Sequence, residues 1–283
     1  MAIIDAFPFF NEIDLLKLRL RTLNPYVDAF VITESTTTFS GLPKKLFYKE
    51  YASEFHEFKN KIIYQVVDDV PNLNPFERDW YQRDQAKEII ARDFSEEDFL
   101  IYGDVDELPN PSAIFGAISL LSDEIRIAHL AQKLFYYHLN LQEVSGSLLS
   151  YAGEYDFVKK KDRKWLGTVV TTVAFAKESS ITSLRNPDNK NYGVRIQDGG
   201  WHFSYMGGYK STDIEDRIVN KIESAAHQEL NTESIKSEVF NRIKAGKDIF
   251  HRRGSKFELQ SDLSYLPVEV LRNFEEFRHL VKL

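Results

Sequence analysis

The stretch Phe99-Leu100-Ile101-Tyr102-Gly103-Asp104-Val105-Asp106 decides how this chain is read. Its first four residues have the length and the apolar, β-rich composition of a buried strand. Gly103 lets the chain turn, and two carboxylates follow with one residue between them. Asn110-Pro111 then predicts a helix N-cap with proline at the first helical position. A strand that ends in Asp-x-Asp and runs on to a helix sets two hard oxygen ligands at the carboxyl edge of a sheet, where open α/β sheets bind their ligands. Such a pair suits Mg²⁺ or Mn²⁺, ions that take a few carboxylates together with the oxygens of a diphosphate. Asp104 and Asp106 are therefore the candidate metal pair, and a nucleotide-sugar is the substrate class they point to.

Other readings of the pair stay open. Short acidic pairs at strand ends also cap helices or lie solvated in loops. Phosphatases with an aspartate nucleophile carry Asp-x-Asp too, with Thr or Val two residues after the second Asp and the motif near the first strand. Here Glu107-Leu108-Pro109 follows, and about a third of the chain precedes it. A glycan-binding protein that keeps the scaffold without turnover is the remaining alternative; metal-dependent use of a UDP-sugar separates it from an enzyme.

At 283 residues and 43% hydrophobic composition the chain can build one large α/β domain with a helical tail. A net charge of −7 argues against a nucleic-acid partner. The basic run Lys159-Lys160-Lys161-Asp162-Arg163-Lys164 is read as a solvated loop or as a phosphate or anionic-lipid contact. With no cysteine, disulfides and thiolate metal sites are excluded. Met1-Ala2-Ile3-Ile4-Asp5 lacks the pattern of a signal peptide, and no run approaches the roughly 20 apolar residues of a membrane span. A soluble, cytoplasmic protein is expected. Aromatic residues make up 13% of the chain, which suits sugar stacking and a packed core equally.

The first half alternates strand and helix signals, the pattern of a largely parallel sheet. Strands are expected at Ile3 to Phe7, Val27 to Thr33 (ending in Glu34-Ser35) and Lys61 to Val67. Asn11 is the expected cap of a helix whose face is Ile13, Leu16, Leu20 and Leu23. Asn74-Pro75-Phe76-Glu77 opens another helix, carrying Trp80, Arg83, Asp84, Ala86 and Ile90. Later strands are expected at Glu124 to Leu130, Lys133 to Leu139 and Thr168 to Ala176. From Thr212 the pattern turns helical, with Ile214, Ile218 and Ile222, then Ile235, Val239 and Ile243, stopped by Gly246.

Several of these blocks resemble glycosyltransferase family 17. They are Phe10-Asn11-Glu12-Ile13-Asp14-Leu15-Leu16, Val27-Asp28-Ala29-Phe30-Val31-Ile32-Thr33-Glu34-Ser35, Asp104-Val105-Asp106-Glu107-Leu108-Pro109 and Gly200-Trp201-His202-Phe203-Ser204-Tyr205. Val144-Ser145-Gly146 and Tyr265-Leu266-Pro267 are similar as well. The resemblance implies a GT-A-type, Rossmann-like mixed sheet flanked by helices, a UDP-GlcNAc donor, a glycan acceptor, a divalent cation and inversion at the anomeric carbon. It divides the single domain into a nucleotide-sugar-binding half (1–110), an acceptor-side half (111–210) and a helical C-terminal region (211–283). The membrane anchor of the animal members is not seen, so a bacterial or viral type that builds another glycan is expected, rather than a Golgi-anchored enzyme.

Roles for single residues follow, those of the metal pair and His202 from the resemblance and the rest from their positions in the sequence. One carboxylate of the pair bonds the metal while the other orients the ribose or a metal-bound water, so Asp104 is a donor-binding candidate too. His202 lies where such enzymes return a histidine to the metal, and its bland alternative is a core imidazole. Glu34, Arg83 and Asp84 are further donor-binding candidates. Glu34 could simply end its strand, and Arg83 and Asp84 could pair with Arg78 and Asp79 on a solvated face. Glu107 orients Asp106 or caps the following helix. Glu12 and Asp14 are explained by a helix dipole alone, and His227 and Glu229 by a phosphate contact or by packing. Asp198 is the first choice for catalytic base because it lies close to the Gly-Trp-His block; Glu154, Asp156 and Glu229 compete with it.

Overall fold

The computed structural model describes residues 1–149, 159, 162–186, 193–209 and 213–283. Lys160, Lys161 and Thr212 lie outside the described residues, as do the candidates Glu154 and Asp156. In chain order the elements are β1 (Ile3–Pro8), α1 (Ile13–Leu23), β2 (Ala29–Ser35), α2 (Phe47–Glu50), β3 (Ile62–Val67), α3 (Pro75–Asp93) and β4 (Phe99–Tyr102). There follow β5 (Glu107–Pro109), α4 (Pro111–Leu120), β6 (Ile127–Tyr136), β7 (Leu141–Glu143), β8 (Val169–Thr172), α5 (Val173–Glu178) and α6 (Ile181–Leu184). The chain ends with β9 (Gly193–Ser204), α7 (Ile214–Ser224), α8 (Glu233–Lys244), β10 (Phe257–Leu259), α9 (Val268–Arg272) and α10 (Phe274–Phe277).

Among the described residues the strands form one mixed sheet in the order β10-β7-β6-β8-β4-β1-β2-β3, with β9 pairing β6 and β5 pairing β9. Strands β3, β2, β1 and β4 run parallel, and β8 joins β4 antiparallel. The α/β class and the Rossmann-like mixed sheet flanked by helices are therefore as expected. Alternation along β1 explains the layering: Ile4 and Ala6 pack toward α3, while Phe7 packs on the opposite face with α1. Leu15, Leu16, Leu18, Leu20 and Leu23 of α1 are all buried there, each contributing about 1.5–3 kcal/mol by leaving water.

Four local expectations are corrected. Helix α1 begins at Ile13, so its N-cap position is Glu12 rather than Asn11; the Glu12 side chain makes no capping bond and instead turns back to accept from the backbone N–H of Phe10 and Asn11. The two strands expected between 124 and 139 are one strand, β6, with an irregularity between Leu130 and Gln132. The strand expected over Thr168 to Ala176 stops at Thr172, whose hydroxyl accepts from Phe175 N–H and caps α5. The C-terminal region is not purely helical, since β10 pairs with β7.

By contrast, Asn74 and Glu77 form the reciprocal capping box of α3, and Asn110 caps α4. The C-terminal segment is bound down: Glu276 bonds Lys17 and Arg21, and His279 meets Asp14 at 2.8 Å. Among the described residues no helix is long and apolar enough to cross a membrane.

The parallel strands β1, β2 and β4 finish at the same carboxyl edge. That edge presents Phe9-Phe10, Thr36-Thr37-Thr38 and Gly103-Asp104-Val105-Asp106 side by side.

Candidate active site

The turn after β4 is closed from within. Glu107 N–H donates to the Asp104 carbonyl at 2.9 Å, and Asp104 N–H donates to Glu107 Oε2 at 2.9 Å. A side chain at Gly103 would not fit this closure, because its Cβ would stand 2.8 Å from Glu107 Oε2 and 2.5 Å from Thr168 Oγ1. Arg19 of α1 suspends the turn from the core. Its Nη1 donates to the carbonyls of Asp104 and Glu107, each at 2.8 Å, while Nε and Nη2 grip Asp5 of β1 at 2.8 and 2.6 Å. Both partners are fully buried.

Glu107 is the hub of the turn. It is fully buried and accepts from Trp165 Nε1 at 2.6 Å, Arg185 Nη2 at 2.6 Å and Thr168 Oγ1 at 3.2 Å. The residue thus holds Asp104 through its backbone, rather than orienting Asp106 or capping the next helix. Pairing of β5 with β9 sets Glu107 opposite His202, and Phe203 N–H donates to the Asp106 carbonyl at 2.8 Å. Gly200 makes this approach possible. It has φ +125°, and a Cβ there would meet Asn110 N at 2.7 Å.

Asp104 is clamped by two guanidiniums. Arg83 of α3 reaches both carboxylate oxygens, and Arg185 Nη1 and Nη2 lie at 3.0 and 3.3 Å. Burial pushes the Asp104 carboxyl up, but Arg185 and Arg83 outweigh it and hold it well below the ordinary carboxylate range. Asp106 faces different partners: Lys221 Nζ of α7 at 2.9 Å and His202 Nε2 at 3.7 Å. There too burial is outweighed, by Lys221 and then His202, and the carboxyl stays ionised. The Lys221 ammonium is raised in turn, because Asp106 and Glu12 overcome its own burial. Glu12 moves upward, chiefly through burial.

Glu12, Arg83, Asp104, Asp106, His202 and Lys221 line a cleft of about 540 Å³ at the carboxyl edge of the sheet. Phe9, Phe10, Thr37, Thr38 and Phe39 line it, as do Trp165, Tyr205 and Phe250 from later in the chain. Asp104, Asp106, His202 and Arg83 all reach this cleft. Glu34 does not. Its carboxylate is fully buried and taken up by Lys44 Nζ, Phe47 N, Tyr48 N and Tyr64 Oη at 2.6–3.1 Å. Asp84 points elsewhere as well, accepting from Ile181 N–H at 2.8 Å. Asp198 is exposed at a strained point of β9, φ +52°, and is not on the cleft wall. Glu229 is on that wall, paired with His227 at 2.7 Å.

The donors can be tested against a divalent cation. Among the described residues no group of three or more His, Asp or Glu stands together as a ready ligand set. Asp104 is committed to its two arginines. Asp106 and His202 do fit: a carboxylate oxygen and an imidazole Nε2 stand 3.7 Å apart in one cleft. The other ring nitrogen, Nδ1, is buried without a hydrogen-bond partner, so the outer contact that ordinarily orients a ligating imidazole is not among the described protein groups. One oxygen and one imidazole nitrogen are acceptable to Mn²⁺, and diphosphate oxygens and water can fill the remaining positions.

Lys221, Arg185 and Trp165 were not legible as site residues. Lys221 belongs to an amphipathic helix whose charges read as solvated, and Arg185 follows a four-residue helix with no motif of its own.

A family model described as glycosyltransferase family 17 matches residues 1–281. The β-1,4-mannosyl-glycoprotein 4-β-N-acetylglucosaminyltransferase of Rattus norvegicus is 30% identical over 118 residues, covering 38% of this chain and 21% of that protein. The protein of the same name from Homo sapiens is also 30% identical over 118 residues, covering 38% of this chain and 22% of that protein. The match thus spans about a fifth of the length of these relatives. Among solved structures, a galactosyltransferase in complex with donor and acceptor sugar analogues has a TM-score of 0.34 at 9% identity, covering 65% of this chain and 62% of that chain. The 4-diphosphocytidyl-2C-methyl-D-erythritol synthase of Anaerococcus prevotii has a TM-score of 0.41 at 9% identity, covering 77% of this chain and 95% of that chain.

Proposed function

The chain belongs to glycosyltransferase family 17, and on that premise we propose that its cleft moves GlcNAc from UDP-GlcNAc to a glycan acceptor, with inversion at the anomeric carbon and with Mn²⁺ or Mg²⁺ as cofactor. The observation that carries this reading is the meeting of Asp106 and His202, 3.7 Å apart, beside Asp104 in a cleft at the carboxyl edge of the sheet. When bound, the cation supplies Lewis-acid neutralisation of charge on the departing diphosphate. Asp106 and His202 would hold it, and Asp104 would join them only by releasing Arg83 and Arg185.

The chain's own groups carry the rest of the reaction. Arg83 and Lys221 place positive charge on the cleft wall, where an anionic leaving group gains from preorganised cations. Phe9, Phe10, Phe39 and Trp165 exclude water from the donor. The attacking acceptor hydroxyl loses its proton to a carboxylate while the anomeric carbon passes through an oxocarbenium-like state. Of the base candidates among the described residues, Glu229 is on the cleft wall and Asp198 is not, which supports Glu229 over Asp198 in this reading. Residues 1–110 supply the donor side in this reading and 111–210 the acceptor side, with α7 and the segment after it covering both.

Thermal shifts across a panel of nucleotide-sugars, each with Mn²⁺ and with chelator, test the reading. UDP-GlcNAc with Mn²⁺ is expected to raise Tm most, since a ligand at 100 times its Kd adds about 2.7 kcal/mol to the folded state. Sugar binding indifferent to chelator, with no response to any nucleotide-sugar, would favour a glycan-binding protein without turnover.

A further inference from the structure

Lys221 is the one cation among the described residues whose ammonium lies within 4 Å of the Asp106 carboxylate. It sits 2.9 Å from Oδ2, the same oxygen that His202 Nε2 faces at 3.7 Å. The Asp106 side chain is only 6% exposed and that of Lys221 only 28%, so water screens this contact weakly. The Lys221 side chain also lies along the wall, its ammonium 5.4 Å from the centre of the Tyr205 ring, with Glu12 adding negative charge nearby. Asp104 offers no alternative foothold, because Arg83 and Arg185 both hold its oxygens.

A divalent ion bonded to Asp106 Oδ2 would therefore meet a like charge on the oxygen it needs. It must displace the ammonium, which then needs another anion within reach. A nucleoside diphosphate brings one: its phosphate oxygens can take the ammonium and complete the metal shell at the same time.

Resting on the reading that Asp106 and His202 hold the cation, we propose that Lys221 is a resident counter-ion that keeps the site closed to free divalent metal, so that metal and nucleoside diphosphate enter as a coupled pair. Lys221 is a positioning residue in this account. It releases Asp106 and turns to the diphosphate when both ligands arrive. Coupling of this kind is reciprocal, so nucleotide strengthens metal binding by the same factor that metal strengthens nucleotide binding.

Mn²⁺ affinity measured by calorimetry or by electron paramagnetic resonance, with and without UDP, tests this on the purified chain. Wild type is expected to bind Mn²⁺ weakly alone and about tenfold or more tightly with UDP, within the usual range of such couplings. Lys221→Gln keeps a hydrogen-bond donor for Asp106 but removes the charge. It should bind Mn²⁺ alone about tenfold more tightly than wild type, and UDP should add less than in wild type. Lys221→Met, which keeps the stem along Tyr205, should behave alike; circular dichroism confirms that either variant is folded.

If neither variant folds, wild type decides. Tight binding of Mn²⁺ alone, unchanged by UDP, overturns the proposal, and UDP-dependent binding supports it. Wild-type metal affinity in a folded Lys221→Gln without nucleotide also overturns it, while leaving the metal site itself intact. No metal binding by wild type even with saturating UDP overturns the metal reading and the Lys221 proposal together.

Discussion

Replacing Arg19 by methionine should cost more stability than any other single change to the wiring of the site. The guanidinium makes a bidentate pair with Asp5 in a place where both side chains are 0% exposed. Breaking such a pair from one side leaves a buried charge uncompensated and costs about 3–5 kcal/mol. Two carbonyls, those of Asp104 and Glu107, also lose their Nη1 donor, adding about 1–3 kcal/mol each where no water replaces it. The sum is about 5 kcal/mol or more, comparable to the whole stability of many domains. Asp5→Leu combined with Arg19→Met removes both charges and should recover about 3–5 kcal/mol of that loss.

The two orphaned carbonyls remain in the double variant, so it should fold with a looser Asp-x-Asp turn and weaker donor binding. Urea unfolding of wild type, both single variants and the double variant gives the coupling directly. Arg19→Met lying within about 1 kcal/mol of wild type, or single effects that simply add, would refute the reasoning.

His202→Ala should raise the Mn²⁺ concentration needed for turnover by about 10–100-fold and be partly rescued by excess metal, the range seen when ligand support is lost. An unchanged requirement with only a lower Tm would make His202 a packing residue. The transfer product should carry a β linkage formed from an α-linked donor, and an α coupling constant in its NMR spectrum would contradict the one-base displacement. Acid should destabilise the fold through His129, whose pKa burial lowers to about 4 from 6.5. Below pH 6.5 the unfolded chain takes a proton that the folded chain refuses. The contribution is thus intact above 6.5 and is lost at about 1.4 kcal/mol per pH unit as pH falls toward 4. His129→Gln should flatten the loss measured by urea unfolding at pH 7 and pH 5, and an unchanged slope would dismiss the assignment.

Local chemistry made much of the frame legible. The run Phe99 to Tyr102 is β4 to the residue, and the Asn74 and Asn110 caps with their prolines open α3 and α4. Long-range pairing carries no local signature, and there the reading fell short. Strand β5 is three residues whose partner is β9, so from local sequence Glu107 reads as a support for Asp106 or as a helix cap, and its place opposite His202 carries no local sign. Strand β6 reads as two because the polar Gln132 falls between its apolar stretches, although Gln132 is fully buried. Glu34 ends a strand at the expected edge, yet the Lys44-to-Tyr48 segment folds over it and consumes its oxygens. Lys221 meets Asp106 across 115 residues of chain, a contact set by the docking of α7 rather than by any motif.

The most direct test of glycosyl transfer at this cleft is the rate of UDP release from UDP-GlcNAc with a glycan acceptor, measured for wild type and Asp106→Asn at one Mn²⁺ concentration and again in chelator. The substitution keeps the size of the side chain and removes its charge as a ligand. Wild type should turn over only with metal, and Asp106→Asn should be inactive in both conditions while keeping a cooperative thermal transition. Near wild-type turnover by Asp106→Asn, or wild-type turnover undiminished by chelator, would contradict the account.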